Sequence, residues 1–193
     1  MITLLWYTPY EVLMKAIRVS HASLDQMDTV GNILGEKDKK LLKKIITLRH
    51  DSVLEHINYS FYIQGISRAL LQELVRHRFV SFTVQSTRFA LKKLLKNEDV
   101  FIHIEDWVDN YNRNVLAYIK EHKDKPNDVL KYLIPEAFKT ELVMTTNARE
   151  LDHIIKLRSQ KGVLPEFQKL AQEFYETVSK IHPELWGMLK CRS

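Results

Sequence analysis

The chain has 193 residues, 45% of them hydrophobic, enough to bury a core as one domain spanning 1–193 and too many for a disordered chain. A single cysteine, Cys191, excludes a disulfide scaffold, and five glycines with five prolines exclude collagen-like or linker-rich architectures. Lys+Arg of 29 against Asp+Glu of 24 leaves +5, which suits anionic partners without choosing between nucleic acid, nucleotide and phosphate.

The first apolar run, from Ile2 to Tyr7, reads as a strand or a tucked terminal segment. It lacks the basic flank of a signal peptide. No run approaches about 18 uninterrupted apolar residues, so no spanning helix is expected, and the expectation is a soluble, cytoplasmic protein with no membrane partner. From Pro9, the positions Val12, Leu13, Ala16, Ile17 and Val19 recur at helical spacing. Residues 23–36 lack periodicity and read as a loop. Asp38 to Arg49 predicts a helix with Leu41, Leu42, Ile45, Ile46 and Leu48 inside. Its lysines 37, 39, 40, 43 and 44 read as a solvated face, or less readily as a nucleic-acid contact.

Asn58 to Ile63 alternates and predicts a strand ended by Gly65, and Ser67 can cap a helix running through His77. The segment Ser81–Phe89 is hydroxyl-rich and reads as an extended loop with a short strand. Helices are predicted at 104–121 and 126–138, a strand at 142–146, a helix at 147–158, and a long helix opened by Pro165 and ending near Ile181. The mixture predicts an α/β (α+β) fold in a single compact domain.

Charge is densest between Arg68 and Lys93, where four arginines and two lysines face one acid, Glu73. Guanidinium forks grip phosphates bidentately and short hydroxyls complete the hydrogen bonds. Arg76, His77 and Arg78 cannot share one helical face, so the helix ends there and splays them. With Ser86, Thr87 and Arg88 following, the pattern suggests two anionic ligands close together; an exposed basic helix end is the plainer reading. His50, Glu55 and His56 match no metal-ligand spacing, and a loop setting His50 and Ser52 against a ligand explains them better. Arg149 and Arg158, nine positions apart, fall on opposite faces of one helix, behind Asn147 as a cap. Glycine-rich phosphate loops and nucleophile elbows are absent, and no nucleic-acid reader motif is present.

Arg76-His-Arg78, seven residues, then Ser86 and Arg88, resembles the signature of flavin-dependent thymidylate synthases. Arg18-Val-Ser20, His50-x-Ser52-x-x-Glu55-His56, Asn147-Ala-Arg149 and Leu157-Arg158 follow the same family order, so the resemblance spans about residues 10–175. It implies a mainly antiparallel sheet flanked by helices, in a homotetramer whose active sites lie at subunit interfaces. It also implies conversion of dUMP to dTMP, with FAD as cofactor and methylenetetrahydrofolate and NADPH as co-substrates. By resemblance, Ser20, Ser52, Glu55, Arg76, His77, Arg78, Asn147, Arg149 and His153 line the FAD site. Gln72, Glu73, Ser86, Thr87, Arg88, Lys131 and Arg158 meet dUMP, and His50 lies beside flavin and folate. The catalytic set is Arg158, Ser86, Arg88 and His50, with Ser86 orienting the nucleotide rather than attacking it. No metal and no nucleic acid are implied.

Four positions depart from the common family pattern. Val84 stands where members often carry a carboxylate, Lys131 where an arginine is common, His153 for an asparagine and Phe89 for a tyrosine. A relative that oxidises NADPH but makes little dTMP is the alternative these departures leave open.

Overall fold

The structure, a computed structural model, describes residues 2–97 and 99–192. Its elements in chain order are β1 (Ile2–Tyr7), α1 (Tyr10–Ser20), α2 (Glu36–Thr47), β2 (Asn58–Ser67), α3 (Arg68–Leu74), β3 (Val80–Val84) and α4 (Thr87–Leu94). There follow α5 (Asp106–Glu121), α6 (Asn127–Leu130), β4 (Lys139–Asn147), α7 (Ala148–Arg158), α8 (Pro165–Ile181) and α9 (Pro183–Lys190). The four strands form one antiparallel sheet in the order β1-β2-β4-β3, so the α+β expectation holds. No helix among the described residues is long and apolar enough to cross a membrane.

The chain divides into two compact units. One comprises Ile63–His77 and Phe82–Val143; the other comprises Ile2–Tyr62, Arg78–Ser81 and the chain from Met144 onward. The first unit packs Leu91, Leu95, Leu116, Ile119, Leu130 and Phe138 into its core. In the second, α7 and α9 both pack on α8, around the fully buried Tyr59, Phe61, Phe174 and Trp186.

Several boundaries differ from the sequence reading. Gly65 does not end β2. It takes φ +69 inside the strand, a conformation open to glycine, and the strand continues to Ser67. Ser67 does cap α3, its Oγ accepting from Leu70 N at 2.9 Å, but the helix closes at Leu74, before the Arg-His-Arg run. The predicted helix at 126–138 is cut to α6 and a 3-10 turn at Lys131–Leu133, because Pro135 disfavours a helical residue before it. Ser81–Phe89 splits between β3 and the start of α4. Beyond the predicted end near Ile181, Pro183 opens a further helix, α9, directly behind α8.

Val12, Val19 and Leu48 are exposed, whereas Leu13 and Ile17 are buried on α1 together with Tyr10, Met14 and Arg18. The loop 23–36 is tied down. Asp28 accepts from the N–H groups of Lys37 (2.9 Å) and Asp38 (3.0 Å) and so caps α2 from outside the helix. Asp38 accepts in turn from Arg18 Nε (2.8 Å) and from Thr29 N (3.0 Å), all three groups being buried.

Candidate active site

The Arg-His-Arg motif straddles the unit boundary, Arg76 and His77 belonging to the first unit and Arg78 to the second. Arg76 and Arg78 are exposed while His77 is buried, so the three side chains splay as expected. Neither Arg76 nor Arg78 has a carboxylate partner among the described residues, leaving both forks open to an anion.

Within the first unit, Ser86 sits at the N-cap position of α4 without closing the cap through its side chain. Thr87 and Arg88 form the first turn of α4, which packs against α6. Arg88 Nε lies 3.0 Å from Asp128 Oδ1, and the Arg88 carbonyl accepts from Asn127 Nδ2 at 3.0 Å. Lys131 follows α6 directly, its Nζ 5.6 Å from the Tyr132 ring centroid. This unit therefore brings together Ser86, Thr87, Arg88 and the helix leading to Lys131. Gln72 stands on α3 and donates to Glu136 Oε1 at 2.6 Å, and Glu73 is half-buried beside it. Phe89 and Tyr132 are each 82% exposed, and the Arg88 guanidinium lies 5.7 Å from the Phe89 ring centroid.

In the second unit, α7 and α1 both pack on the 3-10 turn Asp51–His56. That turn carries Ser52 and Glu55, with His50 at its N-terminal edge; all three are exposed. Glu55 Oε1 and Arg149 Nη1 meet at 2.6 Å. Asn147 Oδ1 accepts from Glu150 N at 2.9 Å, the cap read from the sequence. Ala148 N donates to the Ile57 carbonyl at 2.7 Å, which fastens the start of α7 to the end of the turn. Arg149 and Arg158 occupy opposite ends of an unbroken α7, and the Arg158 guanidinium lies 4.6 Å over the Phe167 ring. His153 is exposed on the same helix. Ser20 closes α1, its Oγ donating to the Ile17 carbonyl at 2.7 Å.

Among the described residues, one group of histidine and carboxylates lies close enough to share an ion, His103 with Asp106 and Asp109 at the start of α5. His50, His56 and His77 are not part of such a group. Asp128, the carboxylate on Arg88, was missed by sequence reasoning; forty positions from its partner, in a segment read as a turn and a helix start, it carries no signal of its own.

Exposed arginine forks beside hydroxyls, on both units, mark a binder of phosphorylated ligands. The family model described as thymidylate synthase complementing protein matches residues 3–184. The flavin-dependent thymidylate synthase of Campylobacter jejuni is 41% identical over 198 aligned residues, covering 94% of this chain and 93% of that one. That of Wolinella succinogenes is 40% identical, covering 96% of each. A solved structure of thymidylate synthase X from Helicobacter pylori with FAD and dUMP matches with a TM-score of 0.87 at 33% identity, over 98% of this chain and 99% of that one. The chain belongs to the flavin-dependent thymidylate synthase family.

Proposed function

We propose that this chain converts dUMP to dTMP, with FAD as cofactor, methylenetetrahydrofolate as one-carbon donor and NADPH as reductant. The observation that carries the reading is the intact signature Arg76-His77-Arg78 to Ser86 in a chain related over nearly its whole length to synthases of that name.

The donor set fits FAD. A diphosphate asks for cations and hydroxyls that are not already neutralised, and Arg76 and Arg78 are exposed without acid partners among the described residues. With His77, Ser20, Ser52, Asn147, Arg149 and His153 they hold the flavin nucleotide, and Glu55 orients Arg149 at 2.6 Å. The chemistry the flavin supplies when bound is hydride transfer to the uracil carbon skeleton.

The protein's own residues position the reactants. Arg88 and Lys131 take the dUMP phosphate, Thr87 and Ser86 orient the nucleotide, and Gln72 and Glu73 line the same pocket. Arg158 stabilises negative charge developing on a uracil carbonyl oxygen, its fork held in place by the Phe167 ring. His50 stands beside flavin and folate. Among the described residues Ser86 meets no activating base, in keeping with binding rather than attack. The working form is a cytoplasmic homotetramer with sites at subunit interfaces and no nucleic-acid partner, which gives the exposed Phe89 and Tyr132 a surface to cover.

Incubation with excess FAD, followed by desalting, should leave flavin absorbance near about 375 and 450 nm at roughly one per chain. Formation of dTMP from the complete mixture then separates the synthase from a relative that only oxidises NADPH. A colourless protein would overturn the assignment.

A further inference from the structure

The lysine run of α2, which the synthase reading does not use, lines a cavity of the second unit. This cavity of about 840 Å³ lies between α2 and α9 and falls within the roughly 300–1,000 Å³ of small-molecule sites. Five cations and two acids line it. Lys39 is paired with Glu184 at 3.7 Å, and Arg192 is held by Asp51 and by Asp152 at 3.6 Å. Glu184 is further engaged by the Tyr10 hydroxyl at 3.3 Å, leaving Glu36 as the other acid on the rim.

Lys40, Lys43 and Arg49 remain, none with a carboxylate partner among the described residues. Lys40 and Lys43 are three apart on α2 and so share a face. Arg49 is fixed just beyond the helix by a left-handed backbone, φ +57, unusual for a side chain of its size. Among the described residues, its Nη2 donates to the Arg192 carbonyl at 3.5 Å. The floor between these cations is apolar, with Ile46, Pro183 and Met188, and Gly187 leaves it open because nothing lies within 4 Å of where a Cβ would stand. Cations on the rim and an apolar floor are the two halves of nucleotide recognition, phosphate outside and base within.

We propose that the α2–α9 groove is a binding site for a phosphorylated nucleotide, with Lys40, Lys43 and Arg49 holding its phosphates and the floor beneath Gly187 holding its base. Two sources share this chemistry. One is the reductant NADPH, an assignment that rests on the synthase reading and suits a groove that ends one residue before His50. The other is a nucleoside triphosphate acting as an effector.

The test is calorimetric titration of the FAD-loaded protein with NADP⁺ and, separately, with ATP, using wild type, the double variant K40E/K43E, and Gly187→Leu, which fills the floor. Wild type is expected to bind at least one of the two, and each variant to bind it at least about tenfold more weakly. Binding of NADP⁺ alone identifies the reductant; binding of ATP identifies an effector. Cys191 lines the groove and is the only cysteine, so the bound nucleotide should also slow its alkylation in wild type and not in the variants. Equal affinities across all three proteins, binding of neither nucleotide, or alkylation indifferent to ligand would each overturn the proposal. Failure of the wild type to form dTMP with chemically reduced flavin would count against the synthase reading alone, because that assay bypasses NADPH.

Discussion

Lowering the pH should destabilise this protein through one buried histidine. His182 is fully buried, and its ring is edge-on to Tyr7, Tyr10 and Tyr59. Trp186 Nε1 can only donate, and it does so to the Tyr59 hydroxyl at 2.9 Å. Asn32 Nδ2 donates to the Ile181 carbonyl and its Oδ1 can only accept, so His182 Nε2 carries the hydrogen and donates to it at 2.8 Å, and Nδ1 of the neutral ring accepts the Tyr59 proton at 2.7 Å. The neutral ring is fully satisfied. Burial lowers its pKa from 6.5 to about 4, against a weaker upward pull from Glu184. A depressed folded pKa means that the unfolded chain binds the proton first. This contribution to stability is therefore complete above about pH 6.5 and lost as pH falls toward about 4. The whole window amounts to about 3 kcal/mol, of which about 2 kcal/mol is gone by about pH 5.

Urea titrations followed by tryptophan fluorescence at about pH 7.5 and about pH 5 measure the loss. Trp186 reports from inside the network. His182→Phe should be less stable at the higher pH, because it strands the Tyr59 proton and removes one of the two donors to Asn32 Oδ1, yet it should lose about 2 kcal/mol less on acidification. An equal pH dependence in wild type and variant would refute the reasoning.

Arg158→Ala should keep FAD and cut dTMP formation at least about 10²-fold, the scale of one lost transition-state donor, and near-wild-type turnover would remove Arg158 from the site. Gly35→Ala should destabilise by about 1–3 kcal/mol, since the added Cβ would stand 2.2 Å from Asp28 Cγ and 2.4 Å from its backbone oxygen. Gly187→Ala, with open space around it, is the neutral or stabilising control in the same urea assay. Asp38→Asn should cost about 3 kcal/mol or more by leaving Arg18 buried without its charge partner; a change below about 1 kcal/mol would show that the pair is solvated.

The sequence was most legible where a single local rule operates. Ser67 and Asn147 cap the helices they precede, and Pro165 opens α8. It misled where tertiary contacts choose among locally equivalent residues. Val12 and Leu13 are equally apolar, but Val12 is exposed while Leu13 joins Tyr10, Met14, Ile17 and Arg18 on the buried face of α1. Gly65 resembled a strand end because a lone glycine carries no sign of whether its partner strand continues. A motif supplies the candidate site residues, and it says nothing of their partners. Glu55 on Arg149 and Asp128 on Arg88 join positions 94 and 40 apart, which no local pattern announces.

Those two carboxylates define how the arginines are held before a ligand arrives. Arg88 and Asp128 are 62% and 52% exposed, and an ion pair so solvated is worth about 0–1 kcal/mol. It is strong enough to orient the fork and weak enough to yield to a phosphate dianion, which offers more charge and more acceptor oxygens. On the proposed role of Arg88 in holding dUMP, Asp128 is a competitor that the nucleotide displaces. Asp128→Asn should lower the KM for dUMP by up to about fivefold with kcat unchanged, because the competing interaction acts on binding alone. Raised ionic strength should narrow the difference between variant and wild type, since screening weakens the competing pair as well. A higher KM in the variant would instead make Asp128 the residue that preorganises Arg88, and the exchange argument would fail.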